Sequence, residues 1–180
     1  MPASYDPELD LIYQGIAVPI PWGSIQRDTR GGDVLYTNST IAINADTGEI
    51  EWYFQHIPGG NWDLDHPFER IVVESEVTPT ADNVSWINPE IDSSERRKLI
   101  TGIPGKPGII WTMDARTGEF LWAKETNYRN VIVGVDIENH RGITNPQLDI
   151  TEIRQRKTVC PSTTGGINWN SIAYSPQTNA

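Results

Sequence analysis

The chain has 180 residues, 37% of them hydrophobic and 21% charged, with a formal net charge of −10; this is the composition of one ordinary globular domain. So acidic a balance argues against nucleic-acid binding, which needs a basic surface. No run approaches the ~18 apolar residues of a membrane helix, and Met1-Pro2-Ala3-Ser4-Tyr5 leads straight into a strand pattern rather than a secretory leader.

Residues 3–18 read as a hairpin, with Tyr5, Leu9, Leu11 and Tyr13 flanking a Pro7-Glu8 turn. Residues 19–33 read as loop, and strands are expected at about 34–44 and 49–55. The stretch 57–70, rich in Pro, Gly, Asp and His, reads as a second loop, followed by a short apolar strand at 71–74. Residues 74–98 carry the weakest pattern, and Ser93-Ser94-Glu95-Arg96-Arg97-Lys98 reads as a solvated charged turn. Strands resume at about 98–103, 108–114 and 119–125. The stretch 126–166 reads as long and irregular, and Ile172 to Ala180 as the start of another hairpin. No amphipathic helix and no linker that would split the chain is expected, so 1–180 reads as a single domain.

Within this order one segment is written twice. Ala42-Ile43-Asn44-Ala45-Asp46-Thr47-Gly48-Glu49-Ile50-Glu51-Trp52 returns as Thr112-Met113-Asp114-Ala115-Arg116-Thr117-Gly118-Glu119-Phe120-Leu121-Trp122. In each copy an Asn or Asp precedes Thr-Gly, a turn in which the side chain binds nearby backbone and Gly accepts positive φ. The Trp that follows is large enough to staple one sheet to its neighbour. Repetition on this scale implies an array of similar β units. The expected fold is all-β: a partial β-propeller of about two to three four-stranded antiparallel blades. An open array leaves apolar faces and strand edges uncovered, so the chain reads as a piece of a larger propeller, with further blades as its partners.

The chemistry concentrates in Pro58-Gly59-Gly60-Asn61-Trp62-Asp63-Leu64-Asp65-His66-Pro67. Alternation in an extended segment points Asp63 and Asp65 to one side. Such a pair can bind a hard cation, or one carboxylate can act as a general base; on residues alone an Asx-turn capping the loop is the other reading. His56, His66 and His140 follow no zinc-ligand spacing and read as structural, with His66 beside Asp65 the one to watch. Cys160 is the only cysteine, either a buried thiol or half of a bond whose partner lies outside the chain.

The two Asn/Asp-x-x-Thr-Gly-x-x-x-Trp copies, the Trp62-Asp63-Leu64-Asp65 loop and Gly165-Gly166-Ile167-Asn168-Trp169 together resemble the PQQ-dependent quinoprotein alcohol dehydrogenases. The resemblance implies an internal stretch of their eight-bladed propeller, pyrroloquinoline quinone and a calcium or lanthanide ion as cofactors, a small alcohol as substrate, a cytochrome or quinone as electron acceptor, and a periplasmic location. It implies Asp63 as catalytic base, Asp63 and Asp65 on the metal, and Lys106 and Asn168 on the quinone. Asp65 stands where lanthanide-using members carry an extra ligand. Cys160 matches a family Cys whose disulfide partner lies beyond Ala180. The implied reaction is base-assisted hydride transfer from an alcohol to the metal-bound quinone. One departure is Val18, where the family has a metal-binding Asn; an isopropyl group cannot coordinate a cation. It motivates the alternative of a non-catalytic propeller that serves binding or assembly; a truncated product with no independent activity is the remaining reading.

Overall fold

A computed structural model of the chain describes residues 2–92 and 95–178. Its strands, in chain order, are β1 (Ser4–Asp6), β2 (Leu11–Gly15), β3 (Ser39–Asn44), β4 (Ile50–Gln55), β5 (Ile71–Glu76), β6 (Trp86–Ile87), β7 (Arg96–Gly102), β8 (Ile109–Asp114), β9 (Phe120–Glu125), β10 (Ile132–Asp136) and β11 (Arg141–Thr144). A single turn of α-helix, α1 (Ser24–Arg27), lies in the loop before β3.

The strands form two sheets, ordered β1-β2-β3-β4-β11-β10 and β5-β7-β8-β9-β6. Within them β1-β2-β3-β4 and β5-β7-β8-β9 are antiparallel meanders of the same plan. They are the two blades that the repeat announced, and the partial-propeller expectation holds. Even the irregularities repeat: pairing slips between Ala42 and Ile43 in the first blade and between Thr112 and Met113 in the second.

The turns explain the shared sequence. Asn44 Oδ1 accepts from the backbone N–H groups of Asp46 and Thr47 at 3.1 and 3.0 Å. Asp114 Oδ1 accepts from Arg116 and Thr117 at 2.9 and 3.0 Å. The glycines that follow, Gly48 and Gly118, sit at φ 75° and 74°, a region open to Gly at little cost. The Trp staple forms as well. Trp52 Nε1 donates to Ala115 O of the second blade at 3.1 Å, and Tyr13 Oη donates to the same carbonyl at 3.0 Å. An ideal Cβ on Gly118 would stand 2.6 Å from the Trp52 ring, so glycine there admits the indole.

One core crosses the blade boundary. Leu11, Tyr13, Ala42, Trp52 and Phe54 of the first blade pack with Ile100, Ile109, Trp111, Met113 and Phe120 of the second. The Phe54 and Trp111 ring centroids are 5.3 Å apart.

Several expectations are corrected. The strand expected from 34 begins only at Ser39, because 35–38 are spent in a turn with Val34 and Asn38 at positive φ. The stretch 74–98 supplies more strand than its sequence suggested: β5 runs on to Glu76, and β6 returns to pair outside β9, Trp86 opposite Ala123. The charged turn at 93–98, of which 93 and 94 lie outside the described residues, is not solvated throughout. Arg97 bonds Glu119 at 2.6 Å and Glu95 at 2.8 Å, and Lys98 ties β7 to the first blade through Asp6 and Glu8 at 3.0 and 2.5 Å. The region 126–166 is not irregular throughout, since β10 and β11 form a hairpin whose Arg141 sits opposite Gln55 in a short parallel join to β4. The hairpin expected from 172 is absent among the described residues, where Thr178 N donates to Ser175 O in a turn; 179 and 180 lie outside them.

Candidate active site

The loop from β4 to β5 (56–70) meets the loop from β7 to β8 (103–108) at one end of the two blades. Trp62 and Leu64 are buried, and the residues between and after them, Asp63 and Asp65, face the other way. Both carboxylates converge on Lys106. Its Nζ lies 2.9 Å from Asp63 Oδ1 and 2.7 Å from Asp65 Oδ2, and it also donates to the carbonyl of Asp63 at 3.2 Å. The three side chains are between 8% and 19% exposed.

The backbone fixes this meeting. Lys106 N donates to Asp65 O at 2.9 Å. Gly105 permits the approach, since a Cβ there would stand 2.5 Å from Asp65 O and from the His66 ring. The N–H of Val18 donates to Asp65 Oδ1 at 3.2 Å, so the segment after β2 reaches the site through its backbone. Burial alone would raise the Asp65 carboxyl. The hydrogen bonds from Lys106 and Val18 and the ammonium charge outweigh it and hold the group below its ordinary value. Burial likewise opposes the charge on Lys106, and the two carboxylates outweigh it and raise the ammonium above its ordinary value. Truncating Lys106 would leave two part-buried carboxylates unpaired, a change that destabilises by about 3–5 kcal/mol when the partners are fully buried.

The segment after Cys160 lies across this end. Gly166 N donates to Lys106 O at 2.7 Å, the Trp169 ring meets Phe68 edge-on at 5.9 Å, and Ile172 N donates to Glu69 Oε1 at 2.6 Å. Asn168 therefore rides on the strip that covers Lys106. Its Oδ1 is buried and without a hydrogen-bond partner. Cys160 is half-buried and unbonded to sulfur, its N–H donating to Asn130 Oδ1 at 2.8 Å.

Beneath the carboxylates lies a buried layer in which His56 and His66 are structural, as expected, and in which Arg70 was not foreseen. The His56 and His66 rings stack at 4.7 Å, only 5° from parallel. Arg70, also buried, donates to His66 O at 2.9 Å, to Thr40 Oγ1 at 2.7 Å, and to Phe68 O. Nothing local marks Arg70 as buried in Phe68-Glu69-Arg70-Ile71. The only available signal was Gly15, which leaves room for it: a Cβ there would collide with the guanidinium and with His66 O.

These residues meet the needs of the implied cofactors unequally. The positive charge of Lys106 and the orphaned side-chain amide of Asn168 suit the polar edge of a quinone. A calcium or lanthanide ion wants about 6–8 oxygen ligands. Here two carboxylates already share one ammonium, Val18 presents an isopropyl group, and among the described residues no group of three or more His, Cys, Asp and Glu converges. The donor set of this chain alone does not fit a multivalent ion.

Comparison with known proteins agrees with this architecture. A family profile described as the β-propeller domain of PQQ-type glucose/ethanol/alcohol dehydrogenases matches residues 1–84. The dehydrogenase subunit of the quinone alcohol dehydrogenase of Komagataeibacter europaeus is 31% identical over 174 residues, 97% of this chain and 21% of the relative. The structure of quinohemoprotein alcohol dehydrogenase ADHIIG from Pseudomonas putida superposes with a TM-score of 0.81 at 30% identity, over 98% of this chain and 24% of that one. A europium-containing methanol dehydrogenase gives the same TM-score at 29% identity, over 98% of this chain and 28% of its own. The chain thus spans between about a fifth and a third of the length of these proteins. It belongs to the PQQ-dependent quinoprotein alcohol dehydrogenase family, and corresponds to a stretch of that family's β-propeller.

Proposed function

We propose that this chain is the part of a PQQ-dependent alcohol dehydrogenase that carries the catalytic base and one edge of the quinone site. The observation that supports the reading best is the convergence of Asp63 and Asp65 on Lys106, with Asn168 on the strip above them. Asp63 takes the hydroxyl proton of an alcohol as hydride leaves the alcohol carbon. Lys106 holds that carboxylate oriented and ionised, and presents positive charge to the edge of the quinone. Asn168 offers its amide to the same edge. PQQ, when bound, supplies the two-electron acceptor. Trp62, packed under the loop, shields the base from water. Asp63 and Asp65 would contribute to a cation site only with ligands from outside this chain, and no step here depends on one. The proposed setting is the periplasm, with a small alcohol as substrate and a cytochrome or quinone drawing off the electrons.

A PQQ titration followed by Trp fluorescence tests the binding half of this reading. Saturable quenching is expected, lost in Lys106→Met and weakened in Asn168→Ala. In a protein that spans the relatives' full length, Asp63→Asn should lower kcat for alcohol oxidation by about 10²–10⁴-fold, the usual worth of a positioned base. Val18 favours the second reading, a propeller that kept its blades and lost the chemistry. No quenching by PQQ, together with no alcohol oxidation by the long protein, would establish that reading instead.

A further inference from the structure

We propose that the ammonium of Lys106 is the built-in cation of the Asp63–Asp65 pair, so that a multivalent ion enters between these carboxylates only by expelling it. An ammonium has three N–H donors. Lys106 has three oxygens to receive them: Asp63 Oδ1, Asp65 Oδ2 and Asp63 O, at 2.9, 2.7 and 3.2 Å. Its valence for hydrogen bonds is thereby full. The remaining oxygen of Asp65 is held by the N–H of Val18. Both ends of the Lys106 peptide are pinned, its N–H to Asp65 O and its carbonyl by Gly166 N. The side chain is thus aimed at the carboxylates rather than left to wander.

The surroundings favour the same outcome. The segment that crosses the site at Val18 contributes a backbone N–H and an isopropyl group, neither of which can ligate a metal. Behind the loop, the Arg70 guanidinium donates to the carbonyl of His66, the residue after Asp65. An arriving ion would meet two carboxylates with one of their two charges already compensated, and would be repelled by the ammonium in contact with them. At 4 Å that repulsion is on the scale that shifts binding by about a hundredfold or more near a protein surface. The Lys106 ammonium fills this site by geometry alone, whether or not the site oxidises alcohols.

Terbium luminescence sensitised by Trp62, the indole next to Asp63, reads ion entry directly. The wild-type chain should show no saturable sensitised emission at micromolar Tb³⁺. Lys106→Gln should bind at least about a hundredfold more tightly, and adding Asp65→Asn should abolish the gain. Lys106→Arg, which keeps a cation in place, should stay silent. A second measurement needs no variant: reductive methylation followed by mass spectrometry should label the exposed Lys124 and Lys157 and spare Lys106. Saturable wild-type emission that Lys106→Gln does not tighten would overturn the proposal, as would Lys106 methylating as fast as Lys124. Neither result bears on the PQQ titration, so the two readings fail separately.

Discussion

His56 and His66 show what two buried side chains do to the whole chain's response to acid. Burial is the main force holding His56 well below its ordinary value of 6.5, with the charges of His66 and Arg70 adding to it. Burial also brings His66 down to about 3; Arg70 adds to the shift, while the Leu64 carbonyl and Asp65 partly oppose it. The unfolded chain therefore binds protons near pH 6.5 that the folded chain refuses. Stability rises with pH wherever the unfolded state holds more protons. This contribution is accordingly full above pH 6.5 and is lost as pH falls toward about 3. Each refused proton contributes a slope of about 1.4 kcal/mol per pH unit. Melting temperatures measured in steps from pH 7.5 down to 4.5 should hold steady to about pH 6.5 and then fall. A flat profile through pH 5 would show that the histidines are not sealed in the core.

At the scale of the element, the repeated turn provides its own control. Gly48 and Gly118 share φ and hydrogen bonding, yet a Cβ on Gly48 meets nothing within 4 Å, whereas one on Gly118 strikes the Trp52 indole. Gly48→Ala should cost only the left-handed backbone penalty, about 1–2 kcal/mol. Gly118→Ala should cost about 1–3 kcal/mol more, because the staple must move. Chemical denaturation of the two variants checks the difference, and equal losses would mean that the indole is not wedged between the blades. The turn was legible in sequence because its chemistry is local: Asn or Asp, two residues, Thr-Gly, then Trp. Asp63 and Asp65 were legible for a similar reason, since a two-residue spacing in an extended loop fixes their common side. Lys106 was legible only through family likeness, as its partners are supplied by the loop that joins the two blades. β6 and the β10–β11 hairpin were not legible at all. They are short segments of two to five residues held by strands already in place, Trp86–Ile87 by β9 and Arg141 by β4. Segments of two to five residues are too brief to show a periodicity.

For the whole molecule, the question is whether two blades behave as one unit. Blades in an array touch only their neighbours, which would allow each to unfold by itself. Three features of this chain oppose that. The core runs without interruption from Leu11 and Phe54 to Trp111 and Phe120. Ala115 O of the second blade is bonded by both Tyr13 and Trp52 of the first. The half-buried Lys98 side chain on β7 is tied to Asp6 and Glu8 at the β1–β2 turn. Losing one blade would strip the other of its apolar cover, so neither has a stable state alone. Guanidinium unfolding should therefore give coincident curves by far-UV circular dichroism and by Trp fluorescence, the mark of a two-state transition. Ile100→Val in the second blade should lower the midpoint of that one transition through a loss of about 1 kcal/mol, and Phe54→Leu in the first should lower the same midpoint. If each substitution moved a different phase, the shared core would not couple the blades. The Asp63–Lys106 contact, which sets the loop joining the blades against a loop of the second, would then open well before the chain unfolds.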